Sequence, residues 1–384
     1  MSGTPRPPDM RAVRRLLIVK LSSIGDVVHA LPVSAALGRS FPHLEITWVV
    51  EAMAAPMVRG NPWLSEVITL PPDWRRHRLS AAAARRFLAL RADLRARRFD
   101  VALDLQGLSK SALIAWASGA PRRYGYDWLR ELAPLLERRV PRQASSVHVV
   151  EQFLDVAGFL GARTRPVEFP LDIPDADARS ARELLTGSDL PPGAAYLAVN
   201  PSAGGGGNKG WGADRFAAAL DDLARDPGLP AVLVGGPGDR EVGEAIRRSA
   251  VTRPRDLIGQ TNLKQLAAIL RGCAGHLCGD TGSAHIAAAL GTPVVSLFGR
   301  SNPARLAPYG QERFALHHRE RCADPCRRFH ERAPLNSHQK CLCPPPRCLA
   351  AIGVDEVVAA VRGALGANAR PRGAAGQAAR EESE

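Results

Sequence analysis

LCGDTGSAHIAAALGTPVVSLFG, residues 277–299, reads as a strand ending at Gly279-Asp280, a tight turn at Thr281-Gly282-Ser283, an Ala-rich helix to Leu290, and a second buried strand Pro293–Phe298. A helix that opens with Thr, Gly and Ser exposes free backbone N–H groups and the positive end of its dipole at the carboxyl end of a strand. In α/β sheets that is where phosphate binds. The stretch therefore predicts an anion site on a parallel sheet.

The rest of the chain repeats the pattern. Strand-like apolar runs fall at Leu16–Lys20, Ile46–Val50, Val67–Leu70 and Val101–Leu105, separated by helical segments such as Leu79–Arg97, Leu108–Ser118 and Val147–Leu160. After a Pro-rich connection come strands at Tyr196–Asn200, Ala231–Gly235, Asp256–Ile258, Gly275–Cys278 and Val294–Phe298, with helices between them. Alternation of this kind implies α/β architecture, here two doubly wound, Rossmann-like domains in tandem with the ligand cleft between their strand carboxyl ends. The expected divisions are a disordered extension 1–13, a first domain 14–188, a second domain 189–366 with a cysteine-rich loop 322–348, and a disordered tail 367–384. Val354–Leu365 reads as a last amphipathic helix.

Length, at 384 residues, fits two domains, and 45% apolar with 23% charged residues fits a globular protein. No apolar run is long enough for a membrane span, and the start lacks a signal-peptide core, so a cytoplasmic protein is expected. The net charge of +13 predicts attraction to polyanions. Nine arginines between Arg75 and Arg98 face a single acid, Asp93, which is steep for an ordinary solvated face. Nucleic acid is disfavoured as the partner, because aromatics are only 5% of the chain and only Phe87 interleaves with those arginines. Cys322, Cys326, Cys341, Cys343 and Cys348 cluster without a standard zinc spacing, so a zinc or iron–sulfur clip is the lesser reading and packed thiols the greater.

Several residues carry candidate chemistry. Asp26 follows the first strand and the small, polar loop Ser22-Ser23-Ile24-Gly25; it reads equally as a first-turn acid favourable to the helix dipole and as a general base. No G-x-G-x-x-G follows that strand, which weakens a dinucleotide-dependent oxidoreductase. In the second half, Ser202 opens a glycine-rich loop closed by Lys209, and Gly236 lies in another glycine-rich turn; Glu241 or Glu244 just beyond could accept from ribose hydroxyls, with solvated helix acids the favoured reading. Thr281 and His285, four apart, are expected to face one ligand.

Together, KLSSIGDVVHALP at 20–32, WVVE at 48–51, DLQGLSKSALIA at 104–115, YGYDW at 124–128, the NKGW region and GDTGSAHIAAALGTPVVSLFG resemble the bacterial lipopolysaccharide heptosyltransferases, glycosyltransferase family 9, nearest the heptosyltransferase I branch. The resemblance runs from about Leu16 to Gly310. It implies a GT-B fold and a metal-independent, inverting transfer from an ADP-heptose donor, held by the second domain, to a Kdo–lipid A acceptor, held by the first. Asp26 then matches the catalytic base, Lys209 a donor-phosphate contact, and Asp280, Thr281, Gly282 and His285 the donor turn, with Ser202, Gly236 and Glu241 beside them. Ser22, Ser23, Gly25, Gln106, Arg75, Arg76 and Arg130 fall on the acceptor side. No cofactor beyond the donor is implied, and a monomer in peripheral contact with the cytoplasmic face of the inner membrane is expected. The cysteine-rich stretch departs from heptosyltransferase I and is more like other branches, which opens a different donor or acceptor. A nucleotide-sugar epimerase, which can share the fold, is the enzymatic rival, and a basic polyanion-binding protein the rival from another class.

Overall fold

The computed structural model of the chain describes residues 5–71, 80–186, 190, 193–202, 210–299, 301–321 and 347–368. The first domain carries strands β1 (Arg15–Val19), β2 (Glu45–Glu51), β3 (Glu66–Leu70), β4 (Val101–Asp104), β5 (Arg122–Tyr126) and β6 (Arg138–Val140), in the spatial order β3-β2-β1-β4-β5-β6. The second carries β7 (Leu197–Asn200), β8 (Ala231–Leu233), β9 (Arg255–Asp256), β10 (Gly275–Gly279), β11 (Val294–Leu297) and β12 (Ala315–Leu316), in the order β12-β11-β10-β7-β8-β9. Counted from its own first strand, each sheet has the same order, and every described pairing is parallel. The fold is GT-B, as the resemblance implied, with the two Rossmann-like halves that the alternation of strands and helices predicted.

The order reverses between β1 and β4 in one sheet and between β7 and β10 in the other, and crevices for ligands open at such switch points. The central strands are apolar throughout because helices cover both faces: Leu16, Leu17, Ile18 and Val19 are fully buried. β5, β6 and β12 had no counterpart in the expected strands. β5 and β6 each begin Arg-Arg, and β12 spans only two residues, so none shows the apolar run that marks a buried strand.

One helix joins the halves. Ile24–Ser40 is apolar nearly all round and buried from Val27 to Gly38, since it is sandwiched between helix Val149–Phe159 of its own domain and helix Gly282–Ala289 of the other. Helix Asp175–Thr186, in the segment expected to close the first domain, packs on helix Leu263–Gly272 of the second, where Asn262 Nδ2 donates to Asp177 Oδ1 at 2.9 Å. The last helix, Val354–Asn368, lies on the second sheet beside Gly275. Residues 5–13 correct the expectation of disorder: Met10 and Val13 are buried, and Tyr124 Oη donates to the Arg6 carbonyl at 3.0 Å. Among the described residues no helix is long and apolar enough to cross a membrane.

Candidate active site

The loop after β1 is held by two side chains, Trp48 and Gln106. The Trp48 indole N–H donates to the Lys20 carbonyl at 3.1 Å, and the amides of Leu21 and Ser22 both donate to Gln106 Oε1 at 3.3 Å. Gln106 is itself fixed because its amide donates to Asp104 Oδ1 at 2.7 Å, with the Gly107 amide on the same oxygen at 3.0 Å and the Ser111 hydroxyl on Oδ2 at 2.7 Å. Beyond Asp104 lies Glu137, whose two oxygens are buried with no ordinary donor in reach, and burial together with the Asp104 carboxylate pushes its acid up to about 10. Two buried carboxyl groups side by side can satisfy each other only by sharing a proton, and Glu137 carries it.

Asp26 fits both sequence readings at once. Its Oδ2 accepts from the Ser23 amide at 3.1 Å and the Ser23 hydroxyl at 2.8 Å, the bonds of a first-turn capping acid. Its Oδ1 has no donor among the described residues, so one oxygen positions the carboxylate and the other is left for a ligand. Burial would raise this acid, but the Lys20 ammonium and the Ser23 donors outweigh it and hold it below the usual carboxylate range. Asp26 is ionised at neutral pH. Lys20, buried at the end of β1, is in turn shifted down by desolvation, with Asp26 and Asp104 opposing.

Across the interface, no side chain caps helix Gly282–Ala289, so its opening N–H groups remain available. The turn before it is set by a hydrogen-bond network centred on Ser283. His276, neutral because burial lowers it to about 4, pairs through Nδ1 with the Ala198 carbonyl at 3.1 Å and through Nε2 with the Ser283 hydroxyl at 3.0 Å. Ser283 Oγ also receives Asn200 Nδ2 at 3.1 Å and lies 2.8 Å from Thr281 Oγ1, while Asn200 Oδ1 takes the amide and hydroxyl of Ser202, both at 3.1 Å. Ser202, Thr281 and Gly282 therefore form one rigid edge at the second switch point. Gly236 and Glu241 are exposed at the end of β8 on the same edge, where Asp239 Oδ2 accepts from the Gly236 amide at 2.8 Å.

The two edges touch. A Cβ on Gly25 would lie 2.5 Å from His285 Cδ2, and one on Gly282 would lie 3.2 Å from Ile24 Cγ2. His285, expected to share a ligand face with Thr281, is instead buried against the first domain, its Nδ1 2.9 Å from His29 Nε2. Burial lowers it to about 4, although nearby Asp26 pulls the other way. His148 adds a second cross-domain contact: its Nδ1 accepts from the Val150 amide, so Nε2 carries the proton and donates to the Ala307 carbonyl at 2.8 Å. Tyr309 of the second domain donates to Glu151 of the first.

Arg130 is exposed beside this region, its amide bonded to the Gly107 carbonyl at 3.0 Å. Arg75, Arg76, Lys209, Cys322, Cys326, Cys341 and Cys343 lie outside the described residues; Cys348 is buried, and among the described residues no group of three or more His, Cys, Asp or Glu could hold a metal. Sequence reasoning passed over Lys20, Asp104, Glu137 and Arg305. Lys20 and Asp104 had a usable signal, a charged residue at the carboxyl end of a buried strand; Glu137 and Arg305 had none.

The buried neutral histidines give an acid-stability prediction. The unfolded chain protonates His276 from about pH 6.5 downward, while the folded protein keeps it neutral to about pH 4. Stability is therefore complete above pH 6.5 and falls as pH drops toward 4, by about 3 kcal/mol for this ring alone. Denaturant titrations at pH 7 and pH 4.5 should show that loss, and His276→Asn should flatten it. An equally steep acid slope in the variant would remove His276 from the account.

Residues 87–335 match glycosyltransferase family 9 (heptosyltransferase), about two thirds of the chain, and the protein belongs to that family. It is a glycosyltransferase by membership, which favours transfer over epimerisation. Among particular relatives, it is 30% identical to lipopolysaccharide heptosyltransferase 1 of Escherichia coli K12 over 306 residues, 77% of this chain and 91% of the relative. It is 28% identical over 302 residues to the lipopolysaccharide core heptosyltransferase OpsX of Haemophilus influenzae, 78% of this chain and 82% of that one. The solved structure of E. coli heptosyltransferase WaaC with ADP-2-deoxy-2-fluoro heptose superposes with a TM-score of 0.67 at 25% identity, covering 91% of this chain and 99% of WaaC.

Proposed function

We propose that this enzyme moves a heptose from ADP-heptose onto the Kdo–lipid A inner core of lipopolysaccharide with inversion at the anomeric carbon. The observation that carries the reading is the pairing of a carboxylate having one unused oxygen, Asp26, with an uncapped helix opening at Thr281-Gly282 on the other side of a glycine-lined contact. In this mechanism Asp26 Oδ1 takes the proton from an acceptor hydroxyl as that oxygen bonds to the anomeric carbon. The bond from that carbon to the ADP oxygen breaks on the opposite face. The departing diphosphate gains negative charge, which the N–H groups at Gly282 and the Lys209 ammonium stabilise. Ser202, Gly236, Glu241 and Asp280 belong to the donor side of this reading, with His285 behind them holding the contact to the first domain, and Ser22, Ser23, Gly25, Gln106, Arg75, Arg76 and Arg130 to the acceptor side. The relatives solved with an ADP-heptose analogue support the donor, and no divalent ion is invoked in the step.

A calorimetric panel of ADP-, UDP- and GDP-sugars tests the donor: ADP-heptose should bind at least about tenfold more tightly than the others. Binding of a UDP-sugar in its place would leave the family and fold standing and move the substrate to another branch. Helix Ala81–Ala96 buries only Leu94 and presents Arg85, Arg95 and the apolar Leu88 outward, which suits an anionic membrane surface that holds the acceptor. Sedimentation with phosphatidylglycerol vesicles should therefore capture the protein at low salt, and Arg85→Glu with Arg95→Glu should release it. Equal capture of the double variant would argue against that surface.

A further inference from the structure

Arg305 belongs to the second domain, in the short helix Pro303–Leu306 that follows β11, yet its side chain lies on the first. The guanidinium carbon is 5.4 Å from the centre of the Trp128 ring, and the residue is 7% exposed. Its Nε is buried without an acceptor, and among the described residues the side chain makes no hydrogen bond or ion pair. Burial and the like charges of Arg130 and Arg142 disfavour its charge, while the fields of Asp26 and, more weakly, Tyr126 favour it. Lys20, 4% exposed, is the better compensated of the two buried cations: its ammonium lies 4.9 Å from the Phe153 ring centre, and Asp26 and Asp104 attract it against the like charges of Arg305 and Lys110.

A guanidinium has five N–H donors; in Arg305 the Nε–H is desolvated and unfilled, which is costly for a cation, and the others have no acceptor among the described residues. Stacking on one indole offsets only part of that cost, because the ring face engages the cation without accepting its N–H groups in hydrogen bonds. A chain that keeps such a group at the junction of its two domains, with cations as neighbours, has a vacancy for negative charge. The donor's diphosphate does not fill it in our reading, because its cradle is the helix opening at Gly282, whereas Arg305 lies among Trp128, Arg130 and Arg142 of the acceptor domain.

We propose that Arg305 is a specificity residue that binds a carboxylate or phosphate group of the acceptor across the domain junction, against Trp128. The acceptor site is then complete only when the second domain supplies Arg305. This rests on the transferase reading above, and it adds a donor-domain contact to acceptor recognition.

The test uses the full chain loaded with ADP and measures binding by calorimetry, so it does not depend on whether sugar is transferred. Three probes separate the sources: the methyl glycoside of an acidic sugar, the methyl ester of that glycoside, and a sugar phosphate. Wild type should bind the free acid or the phosphate about 10- to 100-fold more tightly than the ester, the range for a charge-assisted contact. Arg305→Met keeps the bulk and should abolish that preference, and Arg305→Lys should recover part of it, with ADP affinity unchanged in both. The ligand-free Met variant should melt no lower than wild type, because a buried unpaired cation is gone. Equal binding of acid, phosphate and ester by wild type, or no binding of any, overturns the proposal. So does a Met variant that loses ADP affinity in parallel, or one that melts lower and weakens every ligand alike. Failure of the transferase reading would show separately, as no product from ADP-heptose alongside an intact preference for the charged probe.

Discussion

Asp26→Asn should lower transfer by about 10²–10⁴-fold while leaving ADP binding intact. The substitution isolates basicity from geometry. Asparagine keeps an oxygen that can accept from the Ser23 amide and hydroxyl, so the first turn of helix Ile24–Ser40 stays capped. What disappears is the carboxylate that would take the acceptor proton, and with it the charge opposite Lys20. The variant should therefore also lose some stability, because Lys20 is left buried with Asp104 as its remaining attracting neighbour. Measured together, single-turnover transfer and ADP calorimetry divide the outcomes cleanly. Near-normal transfer would remove Asp26 from the role of base, and a parallel loss of ADP affinity would show that the substitution had disturbed the second domain's site. The acid limb of the wild-type rate should lie low, since the folded carboxyl is held below its ordinary range and stays ionised until that limb is reached.

What could be read from the chain alone divides along physical lines. β1, β2, β4, β7, β10 and β11 were visible because strands covered on both faces must be apolar at every position, and so was the polar loop that ends each switch-point strand. Asp26, Ser202 and Thr281 were legible for that reason, whereas Gln106 entered only through the family resemblance. β5 and β6 were hidden because their paired arginines mask strands held by register, β5 with β4 and β6 with β5, rather than by their own composition. Residues 5–13 looked disordered by composition, but a few long-range bonds such as Tyr124 to Arg6 hold them, and local statistics do not register those. The same limit applies to the junction. His29 and His285 meet across 256 residues, and Gly25 reads locally as a flexible loop residue when its actual constraint is an imidazole from the other domain.

That constraint supports the second large effect. Gly25→Ala would normally favour a helix by up to about 1 kcal/mol, and Gly25 sits in the first turn of one. Here the added methyl would lie 2.5 Å from His285 Cδ2, closer than a buried carbon and a ring can come, while Gly282 Cα at 3.5 Å would be in ordinary contact. His285 has little room to yield, because it is buried and bonded to His29. The domains must then separate by part of an ångström or more, and a misplacement of about 1 Å between reacting groups costs roughly 10²-fold in rate. The expected result is a kcat lower by about that factor, ADP affinity preserved because the donor edge lies wholly in the second domain, and a larger radius of gyration by scattering in the presence of both substrates. Thermal stability should hold, which distinguishes blocked closure from misfolding. Adding His285→Ala to Gly25→Ala removes the clash and should return the radius toward wild type, even if the rate does not recover. Full activity in Gly25→Ala would mean that the contact between Gly25 and His285 is not part of the working state. Asp26→Asn and Gly25→Ala thus remove different things one residue apart: the first takes away the proton acceptor in an assembled site, the second prevents the site from assembling around it.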